Sequence, residues 1–476
     1  MPRLMRLFWS IGVFALGACG ASPASEAELP APSTLGACLD CHSPPEAAVD
    51  AETKTVGIAG THFDNWGRDA SGALVYTDTA PLEGMLLEAP LDWATEGLGY
   101  VTRSSPNACS ASCHEGHSHG VVIALEWARS KHADSQSAPY THVFTDPVCS
   151  RCHSAAGFAA YVDASNLAYP QWTLAGVVPQ GYHLTCNGCH DALAYPTADA
   201  PHLRREGVVP LVSGNGTSFV VDGVVSAGRS AVCVSCHQAR ESGATLYRAM
   251  RGKNADPYDA VAQVMTGFNL PNPHYRGAAA FLYGYKGFEL PGRAYTPGNA
   301  FHQSIGCVGC HMVRDEGAGM GGHTLLMRDQ AGQDHISVCR RCHGPVNGFT
   351  EIGLLRDLDG DGVAKRPALE LEALKATLLA ALATAALYYD DATYPYFFTD
   401  PLVHGDATRA RTWTEAQAIA AFNFLLVAKD PGAFAHNFRY ATQLLRDAYA
   451  GLLGHEPSGE RPATADDRPA TIFTAP

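Results

Sequence analysis

The sequence predicts a mainly α-helical protein with much irregular structure and a C-terminal three-helix segment. Three observations predict this class. Residues 36–350 are rich in Gly, Pro, Asn and Asp and show few long amphipathic periods. Within them lie 14 of the 15 cysteines, in seven short pairs that are each followed by histidine. From Pro367 onward the composition changes to Ala, Leu and Glu, which favour long helices.

The first nineteen residues predict an export signal. A positively charged start precedes a short apolar run from Leu7 to Leu16, and the segment ending at Cys19 resembles the lipobox of bacterial lipoproteins. That resemblance implies cleavage before Cys19 and lipidation of its thiol, with plain secretory cleavage as the alternative. The run is shorter than the ~20 apolar residues that cross a bilayer. Residues 20–35 are rich in Ala, Ser, Pro and Glu and predict a flexible tether. We expect an exported lipoprotein on the periplasmic or cell-surface face of the outer membrane, held there by its lipid anchor.

The seven cysteine pairs share the pattern that attaches haem c. Two thiols at this spacing form thioether bonds with the haem vinyl groups, and the adjacent imidazole then becomes the proximal ligand of the iron. Exported proteins usually use cysteines for disulfides, and Cys-x-x-Cys also serves zinc and redox sites, but seven pairs each followed by His favour haem. Six pairs are separated by two residues and the second pair by three. The predicted attachment sites are Cys38, Cys41 and His42; Cys109, Cys113 and His114; Cys149, Cys152 and His153; Cys186, Cys189 and His190; Cys233, Cys236 and His237; Cys307, Cys310 and His311; and Cys339, Cys342 and His343.

Histidine is also expected as the distal ligand of the irons. The chain has only 8 methionines, two of them within the signal, whereas 14 of its 21 histidines lie outside the attachment motifs. Methionine ligation would raise the reduction potential. The surplus of histidine therefore predicts mostly bis-histidine, six-coordinate haems of low potential.

Several short segments resemble multihaem cytochromes related to hydroxylamine oxidoreductase and the pentahaem nitrite reductases. Residues 126–133 resemble their Trp-x-x-Ser-x-His-Ala segment, whose histidine is a distal ligand. Four other segments resemble further ligand-bearing segments, and the likeness extends over residues 100 to 455. It implies the distal ligands His132, His274, His302, His323 and His436. The remaining two ligands are expected among His62, His117, His119, His142, His183 and His202, ahead of His335 and His404, whereas His455 is expected at the surface.

The resemblance departs from the enzymes of that group in two respects. All seven motifs here end in histidine, whereas the nitrite reductases bind their catalytic haem through a motif ending in lysine. No tyrosine can be matched to the haem-linked tyrosine of hydroxylamine oxidoreductase. We therefore assign no catalytic residue and expect electron transfer in anaerobic or extracellular respiration. The expected partners are other redox proteins: cytochromes, a quinol-linked donor or a terminal acceptor.

Two other functions fit the same motifs. One is an oxidoreductase that acts on a small nitrogen or sulfur compound at a five-coordinate haem, and the other is a subunit of a polymerised cytochrome filament. Nucleic acid is excluded as a partner, because the formal net charge of −14 offers no basic surface to neutralise phosphates.

An acidic loop at residues 351–366 predicts a possible calcium site. Asp357, Asp359 and Asp361 alternate and are followed by Gly362, as in the first half of a calcium-binding loop. The twelfth position is Ala368 where a bidentate Glu would be expected, so Glu370 is the alternative ligand.

Residues 367–455 predict three helices that pack on the haem-binding region. The first covers residues 368–387, and a capping box at residues 412–415 starts a second helix that continues to Ala428. Asp430 and Pro431 predict the start of a third helix, which Gly454 ends. Its apolar stripe consists of Phe434, Phe438, Ala441, Leu445, Ala448 and Leu452, with His436 on the opposite side. The tail, residues 456–476, is polar and Pro-rich and is predicted to be disordered.

Mass spectrometry of the mature protein should show seven covalently attached haems, because seven complete attachment motifs are present. A mass that corresponds to six or fewer haems would contradict this count. Omission of the second motif, which has the longer spacer between Cys109 and Cys113, would identify that spacer as the cause.

Overall fold

The computed structural model describes residues 66–68, 74–76, 126–127, 129–134, 147–163, 184, 186–190, 203–215, 218–315 and 319–474. The predicted signal with its lipidation site Cys19 lies outside these residues, and so does the tether.

The first two attachment motifs also lie outside the described residues. They consist of Cys38, Cys41 and His42, and of Cys109, Cys113 and His114. Six of the alternative distal histidines are outside them as well: His62, His117, His119, His142, His183 and His202. The roles assigned to all these residues stay predictions from the sequence.

Nine short helices of the described part of the chain alternate with long irregular segments between residues 147 and 343. They are α1 (Pro147–His153), α2 (Ala155–Asp163), α3 (Cys186–Cys189), α4 (Ala231–Val234), α5 (Gly243–Arg251), α6 (Ala278–Leu282), α7 (Ala300–Ile305), α8 (Val308–His311) and α9 (Ser337–His343). Single 3-10 turns lie at Gly322–Thr324 and Phe349–Glu351. The predicted class, mainly α with much irregular structure, is confirmed. Among the residues that the structure describes, no helix is long and apolar enough to cross a membrane.

Three longer helices form the predicted C-terminal segment: α10 (Pro367–Thr384), α11 (Glu415–Ala428) and α12 (Ala433–Leu453). Two of their starts differ from the sequence prediction. The capping box of α11 is formed by Thr414 and Gln417, because Thr412 belongs to a strand. Helix α12 begins after Gly432, two residues later than predicted, because the Asp430 carboxylate bonds to His436. Gly454 ends α12 in the left-handed conformation, as expected.

The strands within the described ranges pair two by two, always antiparallel. The largest pair is a hairpin of β3 (Gly207–Asn215) and β4 (Ser218–Gly228), which the sequence analysis did not predict. Val209 and Leu211 of this hairpin are buried against α4 and α6, whereas Val208 faces solvent. The remaining strands are β1 (Trp66–Arg68), β2 (Leu74–Tyr76), β5 (Val264–Thr266), β6 (Ala294–Tyr295), β7 (Tyr388–Tyr389), β8 (Phe397–Phe398), β9 (Thr412–Thr414) and β10 (Arg468–Pro469).

Helices α10 to α12 share one hydrophobic core with residues from the haem-binding region. That core includes Leu246, Phe281 and Phe288 from the earlier part of the chain. Buried side-chain hydrogen bonds fix the position of these helices on the earlier part of the chain. The Asn423 amide bonds the backbone of Phe288 in both directions, at 2.9 Å each. Because a buried amide that lost these partners would be costly, the bonds fix one position of α11 on the preceding chain.

The C-terminal tail is ordered through residue 474, so the prediction of disorder for residues 456–476 is wrong over this part. Strand β10 pairs with β6, and Arg468 makes a two-pronged ion pair with Glu289, with both bonds at 2.7 Å. Arg461 binds Asp447 of α12 in the same way. Composition suggested a mobile tail, but these arginines meet buried carboxylates that composition cannot reveal.

The substitution Arg468→Ala should lower the free energy of unfolding by about 3 kcal/mol. This is the lower end of the range for breaking a buried ion pair, because Glu289 is buried and Arg468 is partly exposed. The matched control is Arg356→Ala, which removes an exposed pair with Glu460 and should cost less than about 1 kcal/mol. Denaturant titration of both variants measures the difference. Equal losses would show that the tail contributes no more than a surface contact.

Candidate haem sites

The five attachment motifs within the described residues lie on or beside short helical turns. The third motif is on α1, the fourth on α3, the fifth at α4, the sixth at α8 and the seventh on α9. Residues three positions apart on a helix share one face, so both cysteines of a pair can reach the same haem. The cysteines whose burial is described are partly buried, except for the exposed Cys342.

Each of the five motif histidines faces a second histidine from a distant part of the chain. The second histidines are the five that the resemblance implied as distal ligands. The ring centroids are separated by 5.9 Å for His237 and His132, 5.8 Å for His153 and His274, 6.3 Å for His190 and His323, 6.4 Å for His311 and His436, and 6.3 Å for His343 and His302.

These separations match two imidazoles on opposite sides of one metal ion. Bonds of about 2 Å from a metal to each nitrogen place the two nitrogens about 4 Å apart, and each ring centroid lies about 1 Å further out. The expected separation of the centroids is therefore about 6 Å. Five independent pairs meet it, so the residues present fit an iron between each pair.

Burial keeps several of these histidines neutral, as metal ligation requires. It lowers the pKa of His132 to about 4, and it is the main cause of the lowered pKa of about 3 at His237 and His274. A buried imidazole that cannot hold a second proton offers its nitrogen lone pair to a metal at neutral pH.

Several rings are also held in orientation by a hydrogen bond to a backbone carbonyl. His311 Nδ1 donates to the Leu325 carbonyl at 3.1 Å, and the rings of His237 and His302 bond the carbonyls of Arg276 and Ala435. A hydrogen bond of this kind fixes the tautomer and leaves the other nitrogen for the metal.

His436 has the strongest of these supports. Its Nδ1 donates to the Asp430 carboxylate at 2.7 Å, and that carboxylate is buried. Burial opposes a charge on His436, but the adjacent carboxylate raises its pKa above the ordinary value. The sequence analysis placed Asp430 at a helix cap, and no local sequence signal distinguishes that role from support of a ligand.

Lys429, beside Asp430, supports the segment that carries another distal candidate. Its ammonium lies 3.7 Å from the centroid of the Tyr275 ring and 3.6 Å from that of the Tyr396 ring. Its carbonyl accepts a hydrogen bond from the Arg276 amide. His274, next to Tyr275, adopts a left-handed backbone with φ of +71°. Such a conformation costs about 1 kcal/mol or more and persists only where the surroundings impose it.

Glu126 connects the segments of two further distal candidates. It begins the segment that leads to His132, and its carboxylate accepts the backbone N–H of His323 at 3.0 Å. The preceding residue, Gly322, has φ of +56°, and a Cβ there would lie 2.4 Å from that carboxylate. Glycine is therefore required at position 322, because its backbone is left-handed and because a Cβ would collide with the Glu126 carboxylate.

The other described histidines do not face a motif histidine. Both ring nitrogens of His335 have protein partners, the Val313 carbonyl at 2.7 Å and the Ser337 hydroxyl at 3.2 Å. His404 binds Asp390 at 2.9 Å, and His455 is exposed as expected.

The acidic loop brings its three aspartates together, but their partners are protein groups. The carboxylates of Asp357, Asp359 and Asp361 have oxygens within 4.8 Å of one another. The Lys365 ammonium contacts Asp359 at 3.2 Å and Asp361 at 2.6 Å. Both oxygens of Glu370, the alternative ligand, accept backbone N–H bonds from Leu358, Asp359 and Lys365.

Comparison with known proteins gives two relatives of the same kind. The chain is 25% identical to the C-type polyheme cytochrome OmcB of Geobacter sulfurreducens over 84% of its own length and 60% of that protein. It is 26% identical to the C-type polyheme cytochrome OmcC of the same species, over 89% of its own length and 55% of that protein. No family model matches the chain. No solved structure matches it either.

These relatives support a multihaem c-type cytochrome. It spans about three fifths of the length of the curated relatives. The narrower resemblance to hydroxylamine oxidoreductase and the nitrite reductases stays a prediction, because the relatives share only the broader class.

Asp430→Asn should raise the reduction potential of one haem in this cytochrome by roughly 60 to 120 mV. Removal of the group that hydrogen-bonds a metal ligand typically lowers metal affinity by about ten- to a hundredfold. A tenfold change in an equilibrium constant corresponds to about 59 mV for a one-electron couple. If His436 binds an iron, the carboxylate would strengthen its nitrogen as a donor and so favour the ferric state. Spectroelectrochemical titration measures the shift, and Asp406→Asn, at an exposed carboxylate, is the control. Unchanged potentials would show that His436 does not bind an iron.

Proposed function

We propose that this cytochrome transfers electrons through seven covalently bound haems, five of which are held by the described histidine pairs. Haem supplies reversible one-electron chemistry at its iron, while the protein supplies ligands, spacing and solvent exclusion. The observation that carries the proposal is the set of five imidazole pairs, each with a centroid separation between 5.8 and 6.4 Å.

The pairing assigns each distal ligand to a motif. His274 serves the third motif, His323 the fourth, His132 the fifth, His436 the sixth and His302 the seventh. Their proximal partners are His153, His190, His237, His311 and His343.

The first two haems are proposed from the sequence. Cys38 and Cys41 would attach the first haem, with His42 as its proximal ligand. Cys109 and Cys113 would attach the second, with His114 in the same role. We expect the distal partners of these two irons among the alternative histidines named above.

Ligands on both sides of an iron favour electron transfer over catalysis. A substrate such as nitrite, hydroxylamine or a sulfur oxyanion can bind only where one position on the iron is open. The five pairs occupy both positions, and the supporting hydrogen bonds hold the rings in place. Donors and acceptors would then be other redox proteins rather than small molecules bound at an iron.

The cellular setting is proposed from the N-terminal sequence. Lipidation at Cys19 would hold the protein at the periplasmic or cell-surface face of the outer membrane, where it would serve anaerobic or extracellular respiration. Cys19→Ser should then release the protein from the membrane fraction, and identical fractionation of variant and parent would contradict the anchor.

Calcium binding at Asp357, Asp359 and Asp361 stays a prediction, because an ion would have to displace the Lys365 ammonium.

The spin state of the irons tests the ligand assignment. In the oxidised parent protein, the haems of the five assigned pairs should be low-spin. His274→Ala removes one distal ligand, so electron paramagnetic resonance should show one haem converted to high-spin. His404→Ala is the matched control, since His404 binds Asp390 and should leave every haem unchanged.

Two results would contradict the proposal. One is an unchanged spectrum for a folded His274→Ala variant, which would remove His274 as a ligand. The other is a high-spin haem in the parent protein together with reoxidation by nitrite, hydroxylamine or a sulfur oxyanion at roughly 1 to 1000 turnovers per second. That combination would make the protein an enzyme.

A further inference from the structure

The fifth attachment motif contacts the third motif through one of its cysteines. The Cys236 and Cys152 thiols are near enough to interact with each other. Its sulfur also lies 3.8 Å from the carbonyl oxygen of Arg151, next to Cys152 in the chain. The two motifs therefore meet at the side chains that would attach haem.

The other cysteine of the fifth motif contacts the sixth motif. The Cys233 and Cys307 thiols are near enough to interact with each other. A further hydrogen bond supports this approach, since the Ser230 hydroxyl, just before α4, accepts the N–H of Val308, the first residue of α8, at 3.3 Å. The two cysteines of one motif thus face two different neighbours.

The fourth motif lies beside the fifth. Cys189 packs with both cysteines of the fifth motif against one apolar cluster, formed by Phe158, Tyr161, Leu184 and Val232. Helix α3 also packs closely on α2, because a Cβ on Gly188 would lie 3.2 Å from that of Ala155.

Contacts between the sixth and seventh motifs come from their distal histidines. The His302 ring bonds the Ala435 carbonyl, and the next residue is His436. The seventh motif is therefore adjacent to the sixth.

We propose that the fifth motif is the junction of the haem array, with Cys236 setting its haem against that of the third motif and Cys233 against that of the sixth. In a c-type cytochrome each cysteine becomes a thioether at the edge of the porphyrin. Two cysteines in contact therefore bring two porphyrin edges together. The order in space is third, fifth, sixth and seventh, with the fourth beside the fifth.

This order differs from the order of the motifs in the chain, and it rests on the proposed haem attachment. Two thiols in contact could alternatively form a disulfide between motifs. Cys152–Cys236 and Cys233–Cys307 disulfides would leave the third, fifth and sixth motifs unable to attach haem through both cysteines. The mass of the mature protein distinguishes these two outcomes.

Electron cryomicroscopy of the mature, haem-loaded protein tests the junction directly. The haem of the fifth motif should be in van der Waals contact with that of the third beside Cys236 and with that of the sixth beside Cys233. Separation of either pair by protein would overturn the inference. If the haems are separated but each iron lies between its two assigned histidines, the junction is wrong and the proposed function stands. If the five pairs do not hold irons, the proposed function fails with it.

A ligand exchange tests the same junction in solution. His132→Met should raise the potential of the haem on the fifth motif, visible as a histidine–methionine spectrum. Electron transfer across the junction, between the haems of the third and sixth motifs, should then slow by up to about tenfold for each 59 mV by which that potential rises. His404→Met, away from the haem ligands, should leave the rate unchanged. An unchanged rate in His132→Met, despite the altered spectrum, would overturn the junction.

Discussion

The approach of paired imidazoles to about 6 Å is the constraint on which much of the described structure depends. Each of the five described pairs joins segments that lie far apart in sequence, such as His153 with His274 and His311 with His436. Long irregular segments ordinarily cost conformational entropy that a hydrophobic core must offset. Here a metal bridge between distant points of the chain would restrict the unfolded ensemble instead, in the same way as a cross-link. Short helical turns are then sufficient to present the ligands.

The supports of the ligands connect the haem-binding region to the C-terminal helices. The turn between α11 and α12 holds Lys429 over Tyr275 and Asp430 against His436, so one turn supports the distal candidates of the third and sixth motifs. Helix α12 carries His436 in its short first part, before a kink at Asn437, and packs through Ala441 and Leu445 of its longer second part into the core. The packing of the helical segment therefore fixes where the proposed ligand His436 lies.

Local patterns predicted the residue types of the site, and long-range contacts decided its arrangement. The motifs, the five distal candidates, the three helices and the ending of α12 at Gly454 were visible in short stretches of sequence. The pairing of the histidines was not visible, because no local pattern records which segments meet. Asp430 was misassigned because an aspartate before a helix usually caps it. The tail was predicted to be disordered because its buried partners, Glu289 and Asp447, lie elsewhere in the chain.

The order of the paired histidines along the chain has a consequence for biogenesis. A polypeptide that is exported from its N-terminus presents His153, His190 and His311 before His274, His323 and His436 have crossed the membrane. Three irons would therefore wait with an open position during translocation. The fifth and seventh motifs differ, since His132 and His302 precede His237 and His343. Assembly would thus proceed through intermediates whose irons are exposed to small ligands, and it would be complete only when α12 arrives.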